Sequence, residues 1–126
     1  MEEFVRNMLI SYPDLEAEKT LFAHEMQNSE DPQVHKNYQD VVRRIEIINS
    51  WLRLLTYDER FVVEKHLFDK IEWSRIALAF ENEWKGQFFR TERTLVRYQA
   101  NAIKKIVVFI EKHPWLVKEL KNSRSV

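Results

Sequence analysis

Thr91-Glu92-Arg93-Thr94-Leu95-Val96-Arg97-Tyr98-Gln99-Ala100-Asn101-Ala102-Ile103-Lys104-Lys105-Ile106-Val107-Val108-Phe109-Ile110 carries two patterns at once. At about 100° of rotation per residue, Tyr98, Gln99, Ala102, Ile103, Ile106, Phe109 and Ile110 fall within roughly 80° of Leu95. A stripe that wide and apolar predicts an amphipathic helix with one face buried. Arg93, Arg97 and Lys104 fall within about 40° of the opposite pole, with Asn101 and Thr94 beside them. The buried face therefore implies an outward face rich in guanidinium and ammonium groups. Thr91 is the expected N-cap, because its hydroxyl can accept from an orphan backbone N–H. Glu92 suits the positive end of the helix dipole, and the reciprocal capping box is missing because Thr94 stands where Glu or Gln would be.

A shorter helix is predicted ahead of this one. Trp73, Ile76, Ala77 and Phe80 repeat at i, i+3, i+4 and i+7, and Gly86, the one glycine of the chain, lies in the connection. Two helices in succession, the second with a basic outer face, form the pattern of a major-groove reader. Arg93, Thr94 and Arg97 lie in the opening turns and are the candidate base-reading residues. Arg90, Asn101, Lys104 and Lys105 are the candidate contacts to the phosphate backbone. Trp84, Phe88 and Phe89 form an aromatic cluster in the connection, expected to pack across the helix ends, with docking of a partner protein as the alternative.

From about Leu55 to Pro114 these residues resemble the region 4 helix-turn-helix of sigma-70-type factors. The resemblance is carried by Leu55-Thr56-Tyr57-Asp58-Glu59-Arg60, by Ile76-Ala77, and by Ala100-Asn101-Ala102-Ile103-Lys104-Lys105-Ile106. Trp73 ahead of Ile76-Ala77, and Thr94 to Tyr98, are closer to the phage and prophage regulators of the RinA/ArpU type. The resemblance implies a transcriptional regulator of phage or prophage late operons that binds double-stranded DNA and contacts RNA polymerase. Two departures stand out. The connection from Glu81 to Arg90 is longer than a tight turn needs, and Val96 occupies a base-facing position that is often basic in the family.

Charge is distributed unevenly behind a net of zero. Residues 1–42 hold three Lys/Arg against nine Asp/Glu, a net of −6, whereas residues 84–126 hold ten against three, a net of +7. The basic end can supply an electrostatic footprint for a polyanion while the acidic front repels it. A length of 126 residues suits one domain with a real core, and one Gly with three Pro favours long helices. Zero Cys rules out disulfides and thiolate metal sites within the chain. No apolar run reaches the length of a membrane span, and acidic residues stand where a signal peptide would be basic, so a cytoplasmic protein is expected.

The acidic front, residues 1–32, is expected to be helical, punctuated by Ser11-Tyr12-Pro13 and by Asn28 to Pro32. Like charge should keep it away from phosphate, which makes it a partner-facing element dispensable for DNA affinity. Residues 33–55 form the most regular element. Val34, Tyr38, Val41, Ile45, Ile48, Leu52 and Leu55 recur with alternating spacings of four and three. Val42, Ile47, Trp51 and Leu54 widen the stripe beyond a dimer seam, so packing within one chain, and a monomer, is favoured over a coiled-coil dimer. Residues 56–113 make the helix-turn-helix unit. Trp115-Leu116-Val117 after Pro114 reads as a short helical cap, and Asn122 to Val126 as a frayed tail.

Catalysis finds little support. His24, His35, His66 and His113 are scattered without ligand spacing, and the chain has no Gly-rich phosphate loop and no nucleophile elbow. No cofactor and no metal are expected. The reading is an all-α helical bundle whose helix 91–110 enters the major groove. The alternative is an adaptor of the same fold that binds a polymerase or regulator without reading DNA.

Overall fold

The computed structural model describes residues 1–83 and 91–122, the side chains of residues 121 and 122 excepted, and every element among them is helical. Seven helices follow in order: α1 (Glu2–Ile10), α2 (Tyr12–Gln27), α3 (Pro32–Leu52), α4 (Tyr57–Val63), α5 (Trp73–Glu83), α6 (Glu92–Lys112) and α7 (Trp115–Asn122). α4 runs without a break into a π-helical turn, Glu64–Phe68. The punctuation foreseen in the sequence is present. Ser11 ends α1 and begins α2, with Pro13 in the opening turn, where its missing N–H costs no helical bond. Asp31 caps α3 by accepting from the backbone N–H of Gln33 at 2.9 Å, with Pro32 at the first helical position.

The heptad stripe of α3 is covered from within the chain. Val41, Ile45, Ile48, Trp51 and Leu52 are buried, Ile48 and Trp51 completely, and α2 packs alongside. Its ends are less enclosed, since Val34 and Tyr38 are half-buried and Leu55 lies beyond the last turn. α7 closes the bundle with Leu116 and Leu120, while Trp115, the residue the sequence would nominate first, stays 59% exposed. Two polar links hold α7 to α3: Arg43 Nε lies 3.2 Å from Glu119 Oε1, and the buried Arg44 donates to the Leu120 carbonyl at 2.6 Å.

One expectation is overturned. The acidic front does not stand apart from the rest, because α1 puts Val5, Met8 and Leu9 into the main core and packs on both α6 and the π-helical turn. Tyr12 adds a second tie, donating its hydroxyl to Asn49 Oδ1 at 2.8 Å and stacking on Phe68 with centroids 4.7 Å apart. Charge repels this front from phosphate, but apolar burial makes it indispensable to the fold, and the latter is the larger effect. A fully buried Leu side chain alone is worth about 1.5–3 kcal/mol, whereas a screened surface charge contributes about 1 kcal/mol or less.

The π-helical turn divides one helical face between two clusters. Val62 joins Ile76, Phe80 and Leu95 in a small cluster, while Val63 and Leu67 belong to the main one with α1, α3 and α6. The chain leaves this turn with the Ile71 N–H returning to the Lys65 carbonyl at 3.0 Å and Lys70 at φ 58°. A left-handed residue ending a helix is usually Gly, since a Cβ there is crowded.

Two stability measurements check this arrangement. Leu9→Ala should cost about 2–5 kcal/mol in urea unfolding, as a core truncation does, whereas a peripheral α1 would lose less than 0.5 or so. Lys70→Gly should move the other way and stabilise by about 0.5–1 kcal/mol, because relief of the left-handed strain outweighs the added chain entropy.

Candidate nucleic-acid interface

α6 is positioned by what it buries. Leu95 inserts into the cluster with Val62, Ile76 and Phe80, while Ala102, Ile103, Ile106 and Ile110 enter the main core. Gln99 sits at the junction, 6% exposed, with its Oε1 2.6 Å from His66 Nδ1. The His66 ring in turn stacks on Trp73 with centroids 3.9 Å apart. A buried amide with a partner fixes rotation more sharply than a greasy contact, because any other rotation strands it. The π-helical turn, α5 and α6 thus meet at one polar point.

The start of α6 is built as the sequence indicates. Thr91 Oγ1 accepts from the Thr94 backbone N–H at 3.2 Å. Thr94 is half-buried, and its hydroxyl lies 3.0 Å from that of Thr91, so it is partly engaged in the cap. Arg93, Arg97, Asn101 and Lys104 are exposed. Among the described residues, neither Arg93, Arg97 nor Lys104 takes part in an ion pair. Arg93, Thr94, Val96, Arg97 and Ala100 line a shallow depression of about 370 Å³, with Val96 43% exposed between the two arginines. Two uncommitted guanidinium groups flanking an aliphatic side chain can donate to acceptor edges and contact a methyl group. Arg90, together with Trp84, Phe88 and Phe89, lies outside the described residues.

Lys105 sits differently from the other predicted contacts. Its Nζ is 2.7 Å from Glu59 Oε1, and Glu59 is only 6% exposed. Glu59 also completes a capping box with Thr56: its Oε1 accepts from the Thr56 N–H at 2.9 Å, and the Thr56 hydroxyl accepts from the Glu59 N–H at 3.2 Å. One carboxylate therefore starts α4 and anchors it to α6. The pattern Thr56-x-x-Glu59 is visible in the sequence as a capping box, but the ammonium partner 46 positions away is not. A similar tie joins α4 to α5, where the Tyr57 hydroxyl donates to Glu83 Oε1 at 2.8 Å; that bond, more than desolvation, raises the phenol above its ordinary range.

Burial pushes the Glu59 carboxyl up, but the Lys105 ammonium and the Thr56 N–H and hydroxyl outweigh it and hold the group below the usual carboxylate range. A depressed folded-state value means the stabilisation is present above the unfolded carboxylate value of about 4.3 and is lost as pH falls through the folded one. Glu59→Gln should accordingly cost about 1–2 kcal/mol at neutral pH, a modest figure because Lys105 is partly exposed. Urea unfolding at a series of pH values should show the gap between variant and wild type closing below roughly pH 4. A gap that is flat with pH would mean the carboxylate charge is not its source.

Among the described residues no cluster of His, Asp and Glu could hold a metal ion, and no helix is long and apolar enough to cross a membrane. Comparison with protein-family models, with curated proteins and with solved structures finds no match to this chain.

Proposed function

We propose that this chain is a sequence-specific, double-stranded DNA-binding transcriptional regulator in which α4, α5 and α6 act as a sigma-70 region 4-like helix-turn-helix and α6 enters the major groove. The observation that carries the reading is the exposed, uncommitted trio Arg93, Arg97 and Lys104 on a helix whose opposite face is buried in two clusters. A basic helix held this rigidly meets the requirement that reading side chains sit on a scaffold that does not yield.

Roles follow from position along α6. Arg93 and Arg97 are one turn apart near its start and each can form the bidentate pair with guanine O6 and N7, while Val96 between them offers an apolar surface to a thymine methyl. Asn101 and Lys104 lie one to two turns further on and suit phosphate contacts. Lys105, held by Glu59, serves the fold first and adds at most a peripheral charge. The reading extends to a phage or prophage late-operon regulator that contacts RNA polymerase and acts as a cytoplasmic monomer.

Two variants test it by differing in kind. Arg97→Ala should lose about 1–3 kcal/mol on the preferred site and relax base preference there. Lys104→Ala should weaken all sequences alike and reduce the salt slope of log K by about one unit. Selection of preferred duplexes from a random pool, followed by anisotropy titration at several salt concentrations, reads both. Unchanged affinity and unchanged site preference in a folded Arg97→Ala protein would move the assignment to a helical adaptor without DNA-reading activity.

A further inference from the structure

The second half of α6 carries a feature that base reading does not use. Leu54, from the turn after α3, and Val108 and Phe109 of α6 form the apolar floor of an open groove of about 690 Å³. Lys104 and Lys112 stand at its edge, and the Lys105–Glu59 pair closes one end. Val108 is 49% exposed and Leu54 38%, so among the described residues nothing covers the floor. Lys104, Val108 and Lys112 are spaced by four, which places cation, aliphatic and cation on one stripe of the helix surface.

A phosphate ribbon gains little from a leucine, a valine and a phenylalanine, whereas an amphipathic helix needs them. We infer that this groove docks an acidic amphipathic segment of a partner protein, with aliphatic side chains at helical spacing on Leu54, Val108 and Phe109 and flanking carboxylates on Lys104 and Lys112. The charge pattern selects the occupant. Glu59 is neutralised by Lys105, which leaves the rim with two uncompensated cations and no free carboxylate, and so disfavours a basic segment. The span from Lys104 to Lys112 is about 12 Å along the axis, enough for two turns of a docked helix. The groove shares Asn101 and Lys104 with the surface assigned to phosphate, so occupancy by such a segment and by DNA should oppose one another.

The test uses the full chain without DNA, so that its failure leaves the base-reading assignment untouched. The probe is a fluorescein-labelled synthetic helix of about 16 residues, with leucines on one face and glutamates beside them, titrated by anisotropy. Wild type should bind in the micromolar range with salt-sensitive affinity, and replacing the peptide leucines by serine or its glutamates by lysine should each weaken binding by about tenfold or more. Val108→Glu should weaken the parent peptide comparably with an unchanged thermal melt, and Val108→Ser, which adds no charge, replaces it should the melt shift. Lys112→Glu should lose the acidic peptide and gain the lysine version. No binding by wild type at 200 µM or so, equal binding of the serine peptide, or equal binding by the Val108 variants each overturns the proposal. A duplex weakened by the Val108 variants as strongly as the peptide also overturns it and gives the groove to DNA.

Discussion

α6 has to satisfy two apolar clusters with one rigid helix, and the rest of the molecule is arranged around that demand. Leu95 belongs to one cluster, Ala102 to Ile110 to the other, and Gln99 bonds to His66 between them. A helix held at a single cluster can roll; one held at two, with a buried amide at the junction, cannot do so without stranding a polar group. The outward face is thereby determined by what the inward face buries. The exposure of Arg93, Arg97 and Lys104 is a consequence of core packing before it is a property of any binding site.

Electrostatics play a local part inside that frame. Glu59 is almost enclosed and remains charged because three donors converge on it, two from Thr56 and one from Lys105. The same carboxylate thus begins one helix and fastens it to another. Burying a charge on one side and partly exposing its partner limits the net gain, since desolvation offsets much of the attraction. Its value lies more in register than in free energy: Lys105 can reach Glu59 only when α4 and α6 hold their observed offset.

Much of this architecture is legible in the chain because helical periodicity is a local signal. The stripe of α6, the heptad run of α3 and the breaks at Pro13 and Pro32 follow from neighbours within a few positions, and the structure has them where they read. Local patterns say little about which buried faces meet. Charge alone set the acidic front apart, although Val5, Met8 and Leu9 recur at the spacing of a buried face and carry the segment into the core. Lys105 read as one more cation of a basic stripe until Glu59 was found opposite it. Trp115 illustrates the converse, a large aromatic that the sequence favours for the interior and that Leu116 and Leu120 leave outside. The groove beside Val108 depends on Leu54, more than fifty residues earlier, and has no local signature at all.

The π-helical turn at Glu64–Phe68 has a bearing on how this chain can change over time. A π turn takes in one residue more than an α-helix does at the same place, without a loop. Removing any one residue from it would relax the turn to ordinary α-helix and rotate everything downstream by about 100° relative to α4. Leu67 would leave the main core and His66 would part from Gln99 and Trp73. Substitutions within the segment are absorbed by side-chain packing, but a single-codon deletion acts on the phase of the helix itself. The segment should therefore tolerate varied composition across descendants of this gene while holding its length constant, the reverse of what is expected of a surface loop.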